Sequence, residues 1–208
     1  MKLSVVVPVY ADPEGWLPRI RERLSGVAGL ELLEMPDGDS RAARLQAGIE
    51  AAKAELVLLH HPRSLVAADG LRWLVEHSGE VSWGGFTHSF DWSHPVLRFT
   101  SWYSNRVRAR LKGIVYLDHC VFFQKSLLTR PIPPVEIFED TELSKILRES
   151  GPPKVLPFFS TTSALRFRAN GVLRQALLNQ RLKFGYYLGM DDRAMNRRYE
   201  RGLGLNGS

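Results

Sequence analysis

Cysteine is almost absent: Cys120 stands alone among 208 residues. One thiol excludes an internal disulfide and fits a reducing compartment. No stretch reaches the about 18 consecutive apolar residues of a membrane-spanning helix. The first ten residues hold one lysine and a short β-branched run. They lack the apolar core and small-residue cleavage site of a secretory leader, so the expected location is the cytoplasm. Internal repeats, low-complexity blocks and evident linkers are missing too. With 44% apolar and 24% charged residues, one domain with a real core is expected over 1–208. Acids are outnumbered, 22 against 28 Lys and Arg, for a net charge of +6 and a pI of about 9.7. That balance suits a nucleotide, a nucleic acid or an anionic membrane face. The basic residues are scattered and no nucleic-acid motif is present, which places nucleic acid last.

What is present reads as alternating strands and helices. Residues 3–10 form a continuous β-branched run, as in a strand covered on both faces, with Pro8 at its end. Asp12-Pro13-Glu14 reads as a helix start, with Trp16, Leu17, Ile20 and Leu24 facing inward. A strand over 30–35 stops at the turn residues Pro36-Asp37-Gly38-Asp39-Ser40. An alanine-rich helix over 41–54 offers Ala43, Ala47 and Ala51 for close packing. A strand over 55–59 runs into His60-His61-Pro62-Arg63-Ser64. A helix over 68–77 and a strand over 80–84 follow. This alternation predicts a mainly parallel sheet with right-handed crossovers, and ligands beyond the carboxyl ends of its strands, where Tyr10, Asp37 and His60 lie. Further on come strand and turn over 84–92, an aromatic-rich helix over 95–111 and a strand over 116–124 containing Asp118, His119 and Cys120. A strand over 154–158 and a long helix over 172–188 complete the pattern, with a frayed tail from Gly202.

The densest chemistry is Glu139-Asp140-Thr141-Glu142. Leu143, Ile146 and Leu147 after it share one helix face, which Gly151 and two prolines end. The acids therefore crowd a first helical turn, where the helix dipole favours negative charge. They read either as caps or as a general base at the mouth of an α/β site. Cys120 reads as a packed small side chain. His119 reads as a structural hydrogen-bonding group or, beside Asp118, as a proton shuttle or acceptor contact. Phe99, Trp102 and Tyr103 read as core before sugar platform.

The order of motifs, from Val7-Pro8-Val9-Tyr10 through Asp37-Gly38-Asp39-Ser40, the His60 loop and Gly84-Gly85-Phe86 to Glu139-Asp140-Thr141-Glu142-Leu143, resembles family 2 glycosyltransferases of the GT-A fold. Asn105 to Arg110, Tyr116-Leu117-Asp118-His119 and Thr162 to Phe167 resemble a short bacterial subgroup that includes arsenosugar-biosynthesis-type members. The likeness spans residues 3–190. It implies a mixed, mainly parallel sheet with a nucleotide-binding half (3–85), an acceptor half (86–168) and C-terminal helices (169–201). It further implies inverting transfer of a sugar from a nucleotide-sugar to an acceptor the sequence does not name. Asp140 matches the family's base, with Glu139 beside it. Pro8 and Tyr10 would meet the nucleotide base, and Asp37, with Asp39 near it, the base edge or ribose. Arg44 would face a phosphate or else lie on a solvated helix face, and Arg166 would neutralise the leaving diphosphate, with Asp118 and His119 toward the acceptor.

Two departures stand out. Where relatives carry Asp-x-Asp, whose acid holds Mg²⁺ or Mn²⁺ against the diphosphate, this chain has Pro62 followed by Arg63. A guanidinium would then do the metal's electrostatic work. The Asp37 loop also runs almost directly into the next helix, which trims the nucleotide pocket. The rival expectation is a non-catalytic GT-A scaffold that binds a nucleotide, sugar or protein. The basic C-terminal helix is expected either to pack on the sheet or to lie on an anionic membrane.

Overall fold

A computed structural model describes residues 1–201, 203 and 204. A seven-stranded sheet has the order β2-β1-β3-β6-β5-β7-β4. Its strands are β1 (Leu3–Pro8), β2 (Leu30–Met35), β3 (Leu56–Leu59), β4 (Ser64–Val66), β5 (Trp83–Phe90), β6 (Val121–Gln124) and β7 (Lys154–Thr162). The strands β2, β1 and β3 run parallel, as alternation with helices requires. The strand β6 enters antiparallel between β3 and β5. Beyond it β7 lies parallel to β5, and the short β4 pairs antiparallel with β7 at the edge. The sheet is therefore mixed, with helices on both faces.

Both faces of β1 are covered. Leu3, Val5 and Val7 join one apolar core with Trp16, Ile20 and Leu24 of α1 (Trp16–Ser25) and with Leu71 and Leu74 of α3 (Ala68–Glu76). Val6 faces the other core, with Leu45 and Ile49 of α2 (Arg41–Ala51) and Leu143 and Leu147 of α5 (Glu139–Leu147). Within α2 the buried face is Ala42, Leu45, Gly48 and Ile49, whereas Ala43 and Ala51 are exposed. The larger apolar residues set the rotation of α2, and Gly48 supplies the close approach expected of the alanines.

Local structure departs from the sequence reading where side chains from distant segments take over. Asp12 caps α1 from four residues away, accepting from the Trp16 and Leu17 N–H groups at 2.8 Å each, so the helix starts at Trp16. The aromatic helix is α4 (Pro95–Tyr103) followed by a π-helix, Ser104–Leu111. The segment 116–124 is not one strand. Leu117–His119 forms a 3₁₀ turn, because the Leu117 N–H is held by the Asp140 carboxylate at 3.0 Å, and Cys120 takes a left-handed φ of 51° before β6 begins. The C-terminal part comprises α6 (Leu165–Asn170), α7 (Val172–Tyr187) and α8 (Asp192–Glu200). Leu182 and Met195 pack against Ile137 and Phe138 at the entry to α5. Most of the tail expected to fray, Gly202 and residues 205–208, lies outside the described residues.

Gly84 sits where β5 meets β7, and a Cβ there would lie 1.9 Å from the Lys154 carbonyl oxygen. The obstacle is backbone and cannot rotate away. Gly84→Ala is expected to cost about 1–3 kcal/mol, lowering the thermal midpoint by roughly 2–12 °C. A calorimetric scan of the variant checks this, and an unchanged midpoint would refute the close approach.

Candidate functional site

The parallel register Val6↔Leu59 and Pro8↔Met35 brings the carboxyl ends of β1, β2 and β3 to one edge. Ser40 caps α2 there, its side chain accepting from the Ala43 N–H at 3.2 Å, and Arg41 becomes the first helical residue. Arg41 reaches across to α5 and donates from Nε to Glu139 Oε1. This pair ties the loop after β2 to the start of the acidic helix.

That start is built under strain. Phe138, just before α5, has φ 67°, a region that a bulky residue enters only when its surroundings impose it. Glu139 is fully buried and Asp140 is 8% exposed. Burial, reinforced by the neighbouring Glu139 charge, raises the Asp140 carboxyl to about 7, against the pull of Arg41 and the Leu117 N–H. Among the described residues, Glu139 Oε2 has no hydrogen-bond partner.

Asp140 lines a cavity of ≈150 Å³ together with Arg41, His61, Arg63, Asp118 and Arg166. Positive charge dominates it. Arg63 is 6% exposed. Burial and then Arg166 and Arg41 lower its guanidinium to about 10, which Tyr199 and Asp118 oppose. His61 is held well below its usual range by burial and by Arg63, so it is neutral. Its Nδ1 accepts from the Arg63 N–H at 3.2 Å, so Nε2 carries the proton and faces Asp118 Oδ1 at 3.6 Å, a dipolar contact and not an ion pair. Arg166 is engaged by α8: Nη1 donates to the Tyr199 carbonyl at 2.9 Å, Nη2 pairs with Glu200, and the guanidinium lies 4.0 Å from the Tyr199 ring centroid.

The residues picked from sequence fall into three groups. Asp140, Asp118, Arg63 and Arg166 come together in the cavity, with Glu139 behind Asp140 and turned to Arg41. Pro8, Tyr10, Asp37, Asp39 and Arg44 stand outside its lining, at the adjoining sheet edge. There Tyr10 is 53% exposed and Asp37 and Asp39 are exposed. Arg44 is on neither a solvated face nor the cavity. It is buried, donates to the Gly38 carbonyl at 3.0 Å and lies 5.3 Å from the Tyr10 ring centroid, so it fixes both loops. His119 is fully buried outside the cavity lining, its Nδ1 donating to the Phe86 carbonyl at 2.9 Å and its Nε2 accepting from Ser104 Oγ at 2.8 Å. Both ring nitrogens are spent on structure, so the proton-shuttle role falls away. Sequence reasoning gave no role to Arg108, Lys183, Tyr199 or Glu200, which only the packing of distant helices brings here.

A hard divalent cation does not fit the loop after β3. Asp118 faces it across 3.6 Å from His61 Nε2, the His60 ring bonds the His61 carbonyl at 2.9 Å, and Arg63 brings positive charge into the same space. Among the described residues no three His, Cys, Asp or Glu side chains group as a metal site.

Neither a family model nor a curated protein sequence matches the chain. Solved structures do. TarS residues 1–349 from S. aureus superpose with a TM-score of 0.58 at 14% identity, over 78% of this chain and 60% of that one. The same TarS fragment in complex with UDP-GlcNAc gives 0.57 at 13%, over 78% and 58%. The mannosyltransferase PcManGT from Pyrobaculum calidifontis, in complex with GDP-Man and Mn²⁺, gives 0.56 at 17%, over 87% and 61%. The chain has a GT-A-like fold. It spans about 60% of the length of these neighbours.

The acid pair has a testable titration. In ¹³C NMR of the carboxyls, Asp140 should titrate near pH 7. Glu139→Gln should lower the midpoint by removing like charge, and Arg41→Met should raise it. In the folded chain the proton is held to about 7, and in the unfolded chain only to about 4. Ionising Asp140 therefore opposes folding, and stability relative to Asp140→Asn should fall as pH rises from about 4 to about 7. A midpoint near 4 would place Asp140 in open solvent.

Proposed function

We propose that the protein is an inverting glycosyltransferase that takes a nucleotide-diphosphate sugar and balances the diphosphate charge with arginines instead of a divalent metal. The observation that carries this is the pairing, in one cavity, of a buried carboxylate that titrates near neutrality with a group of arginines. A base must accept a proton near the working pH, and a leaving diphosphate must be met by positive charge. Asp140 meets the first need, and Arg63 with Arg166 the second. The structural neighbours in complex with UDP-GlcNAc and GDP-Man support the nucleotide-sugar class of donor.

In this reading the base of the nucleotide lies along the exposed edge, against Tyr10 and beside Asp37 and Asp39, on the platform that Arg44 fixes. The acceptor hydroxyl oxygen attacks the anomeric carbon on the face opposite the leaving group. The bond from that carbon to the diphosphate oxygen breaks, its electron pair leaves with the diphosphate, and the hydroxyl proton passes to Asp140. Glu139 holds Arg41 and keeps the carboxyl of Asp140 basic. Arg166 meets the diphosphate once Glu200 gives way. Phe99, Trp102, Phe184 and Tyr187 are exposed on α4 and α7, among the exposed Arg106, Arg110 and Arg181. That surface suits peripheral contact with an anionic membrane.

The second reading, a binding scaffold without catalysis, is favoured by Pro62 at the position of the missing acid and by Glu200 on Arg166. Transfer assayed with UDP-, GDP-, CDP- and dTDP-sugars separates the two. Asp140→Asn should lower kcat by about 10²-fold or more with little change in nucleotide affinity. The wild-type rate should rise with pH through about 7 as Asp140 ionises. Equal turnover in Asp140→Asn would reduce Asp140 to a helix cap, and no transfer from any of these donors would leave the scaffold.

A further inference from the structure

The cavity beside Asp140 continues into a groove of ≈380 Å³ between the π-helix Ser104–Leu111 and α7. Arg108, Tyr116, Phe138 and Lys183 line both. Arg108 is 8% exposed. Its guanidinium lies 3.9 Å from the Tyr116 ring centroid and donates one hydrogen bond, from Nη1 to Ser104 Oγ at 3.1 Å. The π-helix turns Ser104 and Arg108 to the same side, where Ser104 is itself pinned by His119. Among the described residues, no carboxylate stands within ion-pair distance of Arg108 or Lys183, and the Lys183 ammonium makes no hydrogen bond. Burial, the Arg108 charge and Lys112 push Lys183 down to about 7, and Asp118 alone pulls the other way. Asp118 is already shared with His61 and Arg63. Arg108, Lys112 and Lys183 thus line the groove together, and among the described residues no carboxylate lines it. The buried His88 Nε2 lines the same cavity, also without a hydrogen-bond partner among the described residues.

Among the described residues the Arg108 guanidinium makes one side-chain hydrogen bond and the half-buried Lys183 ammonium none, so both keep donors turned to the groove for an anion. They come from two different elements, so they bracket a tetrahedral oxyanion better than a planar carboxylate, which one arginine satisfies alone. The cations around Arg63 belong to the diphosphate in the reading above. Those around Lys183 line the groove that opens into the cavity holding Asp140, where an acceptor could approach it. We propose that this groove is an acceptor subsite for a phosphate ester, whose oxygens are held by Arg108 and Lys183 while the rest of the molecule extends over Tyr103 and Tyr187. The word acceptor rests on the transferase reading; the phosphate site does not.

The test uses the full chain without nucleotide. Phenyl phosphate is titrated calorimetrically into wild type, Lys183→Met, Lys183→Arg, Arg108→Gln and Arg63→Ala, with thermal midpoints recorded. Affinity should fall by about tenfold or more in Lys183→Met and Arg108→Gln, recover in Lys183→Arg, and hold within about threefold in Arg63→Ala. Co-sedimentation with phosphatidylcholine vesicles, with and without phosphatidic acid, identifies the source. Phosphatidate-dependent sedimentation lost in Lys183→Met assigns a lipid headgroup; phenyl phosphate binding alone assigns a soluble ester. No phosphate binding by wild type, or equal binding by a folded Lys183→Met, would overturn the proposal. Because no nucleotide is present, either result leaves the donor reading to its own test.

Discussion

The contact on which the site depends is the one between Arg41 and Glu139. Two adjacent carboxyls are taken out of water at the start of α5, at a cost of several kcal/mol per charge unless something answers them. Arg41 answers the first. Burial alone would weaken its charge, but Glu139 more than offsets that and holds Arg41 firmly protonated. The second carboxyl, Asp140, receives the Leu117 N–H, a long bond from the Thr141 hydroxyl at 3.4 Å and a share of Arg41, and burial leaves its proton affinity high. One acid neutralises and the next is left basic, and the difference comes from which of the two faces α2. Losing Arg41 would strand Glu139, release the loop after β2 from α5 and alter the Asp140 carboxyl, which is tuned to neutral pH.

Around this pair the cavity is assembled from segments far apart in the chain, between Arg41 and Tyr199. The loop after β3 supplies His61 and Arg63, the 3₁₀ turn supplies Asp118, the π-helix supplies Arg108, and α6, α7 and α8 supply Arg166, Lys183 and Tyr199. The cations exceed the acids in it, and α8 covers part of the excess with Glu200 and the Tyr199 carbonyl. The C-terminal helices thus serve as more than packing. They contribute Arg166, Lys183 and Tyr199 to the cavity lining and lay a carboxylate on an arginine that an anionic ligand would also seek.

Much of this was legible in the sequence, for physical reasons. The run Val5-Val6-Val7 can only be a strand covered on both faces, and the breaks at Pro36, Gly38 and Gly151 punctuate the elements as their backbone freedom dictates. Glu139 and Asp140 were visible because three acids before an apolar helix face are rarely accidental. Other features depend on contacts that no local pattern encodes. The strand expected around Asp118 is cut short because Asp140, 22 residues later, takes hold of the backbone. His119 read first as a structural hydrogen-bonding group and second as a proton shuttle, and only the fold shows that Phe86 and Ser104 consume both its nitrogens. Arg108 and Lys183 carry no signal of a role in the sequence, and their convergence follows from a π-helix and an interhelical packing that periodicity does not reveal.

The central claim is that arginines, and no divalent metal, hold a nucleoside diphosphate in this cavity. Its most direct measurement is calorimetric titration of UDP, GDP, CDP and dTDP in EDTA, on wild type, Arg63→Ala and Glu200→Gln. One nucleotide should bind in the chelator, about tenfold or more weaker to Arg63→Ala and tighter to Glu200→Gln, where the competing carboxylate is gone. Binding that vanishes in EDTA and returns with Mn²⁺, or an Arg63→Ala variant that binds as wild type does, would contradict it.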